Sequence, residues 1–216
     1  MTIAVKICGI TETATLDAAI AAGADYVGLV FFEKSPRHLD IAKAAALAAH
    51  ARSRTRIVAL TVDADDAAID QIIREVVPDM LQLHGDEPPA RVAAIGMMTQ
   101  LPVMKAIGVS TRADAARAHD YAAAEMILFD AKPPPDAVLP GGNGAAFDWS
   151  LLSGLALGTP WMLSGGLTPE TVGDAIRQSG ARAVDVSSGV EKSRGVKDAA
   201  LIQRFIAAAK AAMDSA

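Results

Sequence analysis

Three residues in this 216-residue chain have the types and settings that proton-transfer and anion chemistry requires: Cys8 in VKICGIT, Asp130 closing the apolar run MILFD, and Arg37 in the short turn SPR. A cysteine can serve as base or nucleophile once it becomes a thiolate, although a free cysteine is just as commonly a small apolar filler. An aspartate at the end of an apolar run is costly to bury unless it has a partner or a task. Arg37 could be an ordinary surface charge; the Ser35-Pro36 lead restricts its loop, however, and a guanidinium fork matches a carboxylate. His84 in LQLHG could act as a base by itself, or as a hydrogen-bonded support for a neighbour. The four histidines form no HxH or HExxH spacing, so no metal site is expected. Lys6 precedes Cys8 by two residues and therefore shares its face of a strand, where it could form a Schiff base or steady an anion. Asp185 in VDVSS reads as an orienting group.

Two further segments, LSGGL and VDVSSGVE, combine glycine with serine. Glycine lets backbone N–H groups approach an anion closely, so Gly165, Gly166, Ser187, Ser188 and Gly189 form a candidate phosphate site. A helix N-terminus beneath them would add favourable partial charge. The alternative is that these glycines only make tight strand-to-helix turns.

These residues need a scaffold that brings them to one place. Eight β-rich apolar runs recur, at 3–7, 26–31, 56–62, 80–83, 103–107, 126–129, 161–163 and 183–186. Ala-rich stretches with helical spacing begin near Thr13, Ile41, Ala67, Pro89, Arg112, Trp149 and Pro169, and a last one runs over 198–213. Ser and Thr precede several first turns (Thr11, Ser110-Thr111, Thr168), and Gly23 and Gly180 follow two helices. Strands alternating with helices predict a parallel sheet, and eight alternations in this length predict one (β/α)8 barrel occupying residues 1–216. The competing open, doubly wound sheet would show a GxGxxG turn after its first strand, where this chain has Cys8-Gly9-Ile10-Thr11. In a barrel the C-terminal strand ends form the active mouth, and every residue singled out above except Lys6 falls at such an end or in the loop that follows it.

Composition sets outer bounds. A 51% hydrophobic and 21% charged chain is that of a globular protein, and a net charge of -5 argues against nucleic acid, which needs a concentrated basic face. One cysteine cannot form an internal disulfide, no apolar run reaches the roughly 18 residues that cross a bilayer, and MTIAVKICGI is no secretory signal, so a cytoplasmic setting without membrane partner is expected. Oligomeric state is not readable.

The segments VKICGIT (5–11), FFEKSPRHL (31–39), LQLHGDE (81–87), LFDAK (128–132), PGGNGAAFDW (140–149), LSGGL (163–167) and VDVSSGVE (184–191) together resemble the phosphoribosylanthranilate isomerase family of tryptophan biosynthesis. The resemblance runs from first strand to last. It implies an Amadori rearrangement of N-(5-phosphoribosyl)anthranilate to 1-(2-carboxyphenylamino)-1-deoxyribulose 5-phosphate, with no cofactor or metal. It also implies Cys8 as general base, Asp130 as general acid, Arg37 on the anthranilate carboxylate, and Gly165, Gly166, Ser187, Ser188 and Gly189 on the phosphate. Free cysteine and aspartate titrate near about 8.5 and 3.9, which alone would suggest the reverse roles at neutral pH. The assignment thus requires positive charge near Cys8, to which Lys6 is a candidate contributor, and a setting that keeps a proton on Asp130. Asn143 stands where threonine is common in the family, and the turn Glu191-Lys192-Ser193-Arg194-Gly195 lacks a proline that often precedes the glycine. The long sixth loop joins Pro133-Pro134-Pro135 to Gly141-Gly142-Asn143-Gly144, which suits either a lid or an ordinary surface loop. Other readings are a different sugar-phosphate barrel, such as an indole-glycerol-phosphate synthase or pentose-phosphate epimerase, or a non-catalytic phosphate-binding barrel.

Overall fold

The computed structural model describes residues 2–133, 137, 139–142 and 144–212. Eight strands pair in chain order and close on themselves: β1 (Ala4–Cys8), β2 (Tyr26–Phe31), β3 (Arg56–Thr61), β4 (Met80–Leu83), β5 (Val103–Val109), β6 (Met126–Ala131), β7 (Trp161–Leu163) and β8 (Ala183–Val186). Every pairing is parallel, and β1 meets β8 with Lys6 opposite Asp185. That closure rules out the open sheet and leaves the barrel itself without an edge strand.

Strands buried on both faces read as continuous apolar runs rather than alternating ones, as in YVGLVF and MILFDA. The period of two still sorts them. Tyr26, Val58, Met80, Met104, Leu128 and Met162 point inward and plug the lower barrel, while Cys8, Val30 and Leu60 form a separate apolar group above them. Outward residues join the larger core under the helices.

Among the described residues seven α-helices cover the barrel: α1 (Thr13–Ala22), α2 (Ile41–Ala51), α3 (Asp66–Val76), α4 (Pro89–Thr99), α5 (Arg112–Ala116), α6 (Val172–Ser179) and α7 (Ala199–Ala211). Ile202, Phe205, Ile206 and Ala209 of α7 repeat at i, i+3, i+4 and i+7, and all are buried. Thr111 and Asp114 form a reciprocal capping box on α5, and Gly23 and Gly180 end α1 and α6 in the left-handed conformation.

Three expected helices differ. The one near Trp149 is a single 3-10 turn, Trp149–Leu152, because Ser153 and Gly154 end it and Gly158 and Pro160 prevent its resumption. The one near Pro169 becomes regular only at Val172, since a turn fastened by the Thr168 N–H to Thr171 Oγ1 bond (3.0 Å) comes first. The one at Arg112 tightens after Ala116 into a 3-10 segment ending at Tyr121, whose hydroxyl donates to the Glu87 carbonyl. Met213, included in the last expected helix, lies outside the described residues.

Replacing the fully buried Phe205 by alanine should lower stability by about 3–5 kcal/mol. Urea unfolding measures it; a loss below about 1 kcal/mol would show that α7 does not anchor the barrel.

Candidate active site

A cavity opens at the C-terminal strand ends. Cys8, Arg37, His84, Asp130, Gly165, Gly166, Asp185, Ser187, Ser188 and Gly189 all line it, so the fold gathers nearly the whole set singled out in the sequence. Lys6 is the exception: its side chain is fully buried one layer below.

Below the mouth, Lys6 Nζ donates to Asp185 Oδ1 at 2.9 Å, and Asp185 Oδ2 accepts from Ser164 Oγ at 3.3 Å. Burial works against the Lys6 charge, but Asp185 and Cys8 outweigh it and raise its pKa, so the ammonium persists. Lys6 also offers a hydrogen bond to Cys8. Burial pushes the Cys8 thiol up, and although Lys6 and Lys197 pull it down, the net direction is upward. The protein groups around Cys8 thus do not by themselves favour the thiolate.

Asp130 is buried and partnered, as an aspartate at the end of an apolar run must be. Its Oδ1 accepts the Ala131 N–H at 2.8 Å, and its Oδ2 lies 3.4 Å from His84 Nε2. The His84 Nδ1 lies 2.9 Å from Gln82 Nε2. His84 thus sits between the aspartate and a buried amide.

Arg37 reaches the mouth past Gly9, where a β-carbon would come within 2.5 Å of its Cδ. Its fork is already engaged: Nε donates to Glu191 Oε1 at 2.7 Å and Nη2 to Glu191 Oε2 at 3.0 Å. Nη1, which faces Gly142, is the edge left for a ligand. A two-pronged grip on a ligand carboxylate, which the guanidinium shape suggested, is therefore taken up by the protein itself.

Glu191 also accepts from Lys197 Nζ at 2.8 Å and from the Gly195 N–H at 2.9 Å. These donors outweigh its burial and hold its carboxyl down at about 2. Burial pulls Lys197 down to about 8 against the pull of Glu191. Lys197 further donates to the Ser187 carbonyl at 2.8 Å and to Ser187 Oγ at 3.1 Å. Because a peptide C=O and the following N–H point in opposite directions, fixing the Ser187 carbonyl turns the Ser188 N–H the other way. The backbone N–H groups of Gly165, Gly166 and Ser188 find no backbone acceptor among the described residues. Unpaired N–H groups beside a cavity form an anion cradle. Only one 3-10 turn, Ser188–Val190, follows β8 here; a short hairpin (β9, Glu191–Ser193, and β10, Val196–Lys197) intervenes before α7. On this side loop N–H groups, not the helix terminus expected beneath them, line the cavity.

Sequence reasoning missed Gln82, Gly141, Glu191 and Lys197. Gln82 had a signal, since it precedes His84 by two and must share its inward face. Lys197, in the polar run SRGVKD, had none. The sixth loop crosses the mouth through Pro140, Gly141 and Gly142, whereas Pro134, Pro135 and Asn143 lie outside the described residues. The turn at Gly195 packs on Pro36, where a β-carbon would lie 2.9 Å from the Pro36 carbonyl oxygen.

A carboxyl held below its ordinary value of 4.5 contributes stability that is present above that value and is lost as pH falls toward about 2. Glu191→Gln should therefore lower stability at pH 7 on the order of 2 kcal/mol, with the deficit shrinking as pH falls from 4.5 toward 2. Urea midpoints at pH 7 and pH 2.5 test this; a deficit equal at both would remove the charge of Glu191 from the account.

The N-(5'phosphoribosyl)anthranilate (PRA) isomerase family model matches residues 5–208. The chain is 58% identical over 212 residues to the N-(5'-phosphoribosyl)anthranilate isomerase of Rhodopseudomonas palustris strain BisA53, covering 98% of this chain and 97% of that one. The crystal structure of phosphoribosyl anthranilate isomerase from Thermotoga maritima superposes with a TM-score of 0.87 at 37% identity, covering 97% and 99% of the two chains. A phosphoribosyl anthranilate isomerase in complex with reduced 1-(o-carboxyphenylamino)-1-deoxyribulose 5-phosphate superposes with a TM-score of 0.83 at 35% identity, with the same coverage. A closed parallel barrel, a mouth that gathers a buried cysteine, aspartate and arginine beside unpaired N–H groups, and similarity over nearly the full length agree: the chain belongs to the N-(5'-phosphoribosyl)anthranilate isomerase family.

Proposed function

We propose that this chain converts N-(5'-phosphoribosyl)anthranilate into 1-(2-carboxyphenylamino)-1-deoxyribulose 5-phosphate, with Asp130 as general acid and Cys8 as general base. The observation that carries the residue roles is that Cys8 and Asp130 open on one cavity with an anion cradle among its walls and a free arginine edge facing it. The substrate has matching parts: a phosphate, a sugar carbon from which a proton must leave, a ring oxygen that must gain one, and a carboxylate.

In the first step Asp130 donates a proton to the furanose ring oxygen. The C1–O bond breaks, and the nitrogen lone pair forms an iminium. Cys8, as the thiolate, then removes the proton on C2; the C–H electrons move toward the iminium and give a neutral enolamine. Proton gain at C1 and loss from the enol hydroxyl complete the ketone, and the sum over both groups is zero. The iminium is the electron sink.

Burial lifts the Cys8 thiol, so its ionisation depends on cations beside it. Lys6, kept charged by Asp185, is the one at its side, and turnover starts from the form in which Cys8 is already ionised, so no thiol proton has to leave within the cycle. Phosphate is held by the N–H groups of Gly165, Gly166 and Ser188 together with Ser187 and Gly189, and the anthranilate carboxylate is met by Nη1 of Arg37.

Cys8→Ala and Asp130→Ala should each lower turnover at least about a hundredfold while the barrel stays folded. Loss of the fluorescence of freshly prepared phosphoribosylanthranilate measures it, and near-native turnover in either variant defeats that residue's role. Arg37→Ala should act mainly on the Michaelis constant. An unchanged constant would take Arg37 off the carboxylate.

A further inference from the structure

The short hairpin between β8 and α7 faces an unexpected residue inward. Val196 is 36% exposed, while the side chain of its neighbour Lys197 is only 1% accessible. The register of β9 and β10 slips between these two residues, and a bulge of this kind re-aims a side chain. Burying an ammonium in place of a valine is costly unless its protons all find acceptors. The proposed reaction gives Lys197 no step, so its burial asks for a reason.

The three ammonium protons go to the Ser187 carbonyl at 2.8 Å, to Ser187 Oγ at 3.1 Å and to Glu191 Oε1 at 2.8 Å. Ser187 Oγ in turn donates to the Cys8 carbonyl at 3.1 Å. The groups themselves fix these directions. A carbonyl only accepts and an ammonium only donates, so the single hydroxyl proton of Ser187 lies toward Cys8 and a lone pair lies toward Lys197. Ser187 therefore carries two holds from one ammonium. Its carbonyl turns the Ser188 N–H away from Lys197, and its hydroxyl pins the peptide between Cys8 and Gly9.

We propose that Lys197 is a positioning residue that ties the phosphate cradle to the backbone of the base, so that loss of its ammonium loosens the grip on phosphate and the seat of Cys8 together. This deepens, and rests on, the readings of the cradle as the phosphate site and of Cys8 as the base. A neutral amine has two protons and a lone pair, and it cannot keep three donor bonds. The Ser187 hydroxyl is the only one of its three partners with a proton to give. Turning that proton to the amine releases the Cys8 carbonyl. The Ser187 carbonyl, once let go, keeps only a long bond from the Val190 N–H at 3.4 Å.

The charges around Lys197 leave its ammonium easily lost. Burial opposes it, Glu191 on β9 supports it, Arg37 on the loop after β2 opposes it and Cys8 at the end of β1 supports it, and together they bring it down to about 8 from the ordinary 10.5. Asp198, next in the chain, is turned to α7, where it accepts from the Ala200 and Leu201 N–H groups. Lys6 and Asp185, beyond Cys8, are matched to each other, and Lys192 and Arg194 of the hairpin are exposed.

The test follows both holds from about pH 7.5 to about pH 9.5. Inorganic phosphate, titrated by calorimetry, should bind the native chain about tenfold more weakly at the high end, with the fall centred near 8. The chain has one cysteine, so carbonyl-13C cysteine labelling gives a single resonance, and it should move over the same range as the Ser187 hydroxyl turns away. Lys197→Met should bind phosphate about tenfold more weakly already at pH 7.5 and show neither step. Ser187→Ala, which keeps Lys197 but has no hydroxyl, should lose the carbonyl step and keep the phosphate step. Ionisation of Cys8 itself lies higher, because burial raises it, and any step it causes would persist in both variants.

A brace that only supports the fold lowers the urea midpoint of Lys197→Met without a pH step in either signal of the native chain. A native carbonyl resonance that stays still, phosphate binding that is level across the range, or steps that survive in Lys197→Met would each overturn the proposal. In Lys197→Met, Glu191 keeps Arg37 and the Gly195 N–H, so no charge is stranded. Should that variant not fold, the native chain and Ser187→Ala still decide. If phosphate binds at no pH, the cradle reading has failed and the tie is judged on the carbonyl step. If Cys8→Ala retains turnover while that step appears, the reading of Cys8 has failed and the hold of Lys197 on Ser187 stands.

Discussion

Where the first strand meets the last, Lys6 and Asp185 join across 179 residues of chain inside the barrel. Burying two charges costs several kcal/mol each unless they meet and their remaining hydrogen bonds are satisfied, and removal of one partner leaves the other stranded. Here Asp185 has Lys6 on one oxygen and Ser164 on the other, and the Lys6 ammonium turns also toward Cys8. The pair forms only if β1 and β8 are in register, because that register sets Lys6 opposite Asp185. Closure of the barrel and the electrostatics beneath the proposed base are one condition.

The remainder of the mouth follows from the same alternation. Each strand turns every second residue inward, so a strand ending in a functional residue carries another buried inward group two positions earlier. Lys6 lies under Cys8, Gln82 under His84, and Asp185 under Ser187. The inner wall thus passes from an apolar plug around Tyr26, Met80 and Met104 to a polar layer, and then to the cavity. The charged supports thus lie below the proposed acid and base, where water does not screen them.

Much of this was legible in the sequence, for reasons that differ from residue to residue. Strand count and closure followed from eight apolar runs, and the gathering of Cys8, Asp130, His84 and the glycine-serine loops followed from their all lying at the same ends of those runs. The helix after β6 was misread because Trp149-Ser150-Leu151-Leu152 has helical composition, whereas Gly154, Gly158 and Pro160 decide its length. Arg37 was legible as a residue facing the mouth but not in its contacts. Its fork is taken by Glu191, which lies 154 residues away, and no local pattern encodes such a pairing. Lys197 escaped for the same reason. The direction of the Cys8 thiol was hidden too, since burial and a cation oppose each other there and only their spacing decides the winner.

The carboxylate of Glu191 grips Arg37 with both oxygens, holds Lys197 with one of them, and accepts the N–H of Gly195, whose turn rests on Pro36. Lys197 in turn holds the carbonyl that aims Ser188. The arginine edge and the N–H cradle are accordingly two ends of a single braced frame, with one side chain as its crosspiece. Energies measured at the two ends cannot be summed as though they were separate, because a ligand or substitution that loosens one end also releases the other. In mechanical terms the mouth behaves like a caliper of set width, and under the proposed function the distance between the two anionic groups of the substrate is what it would gauge.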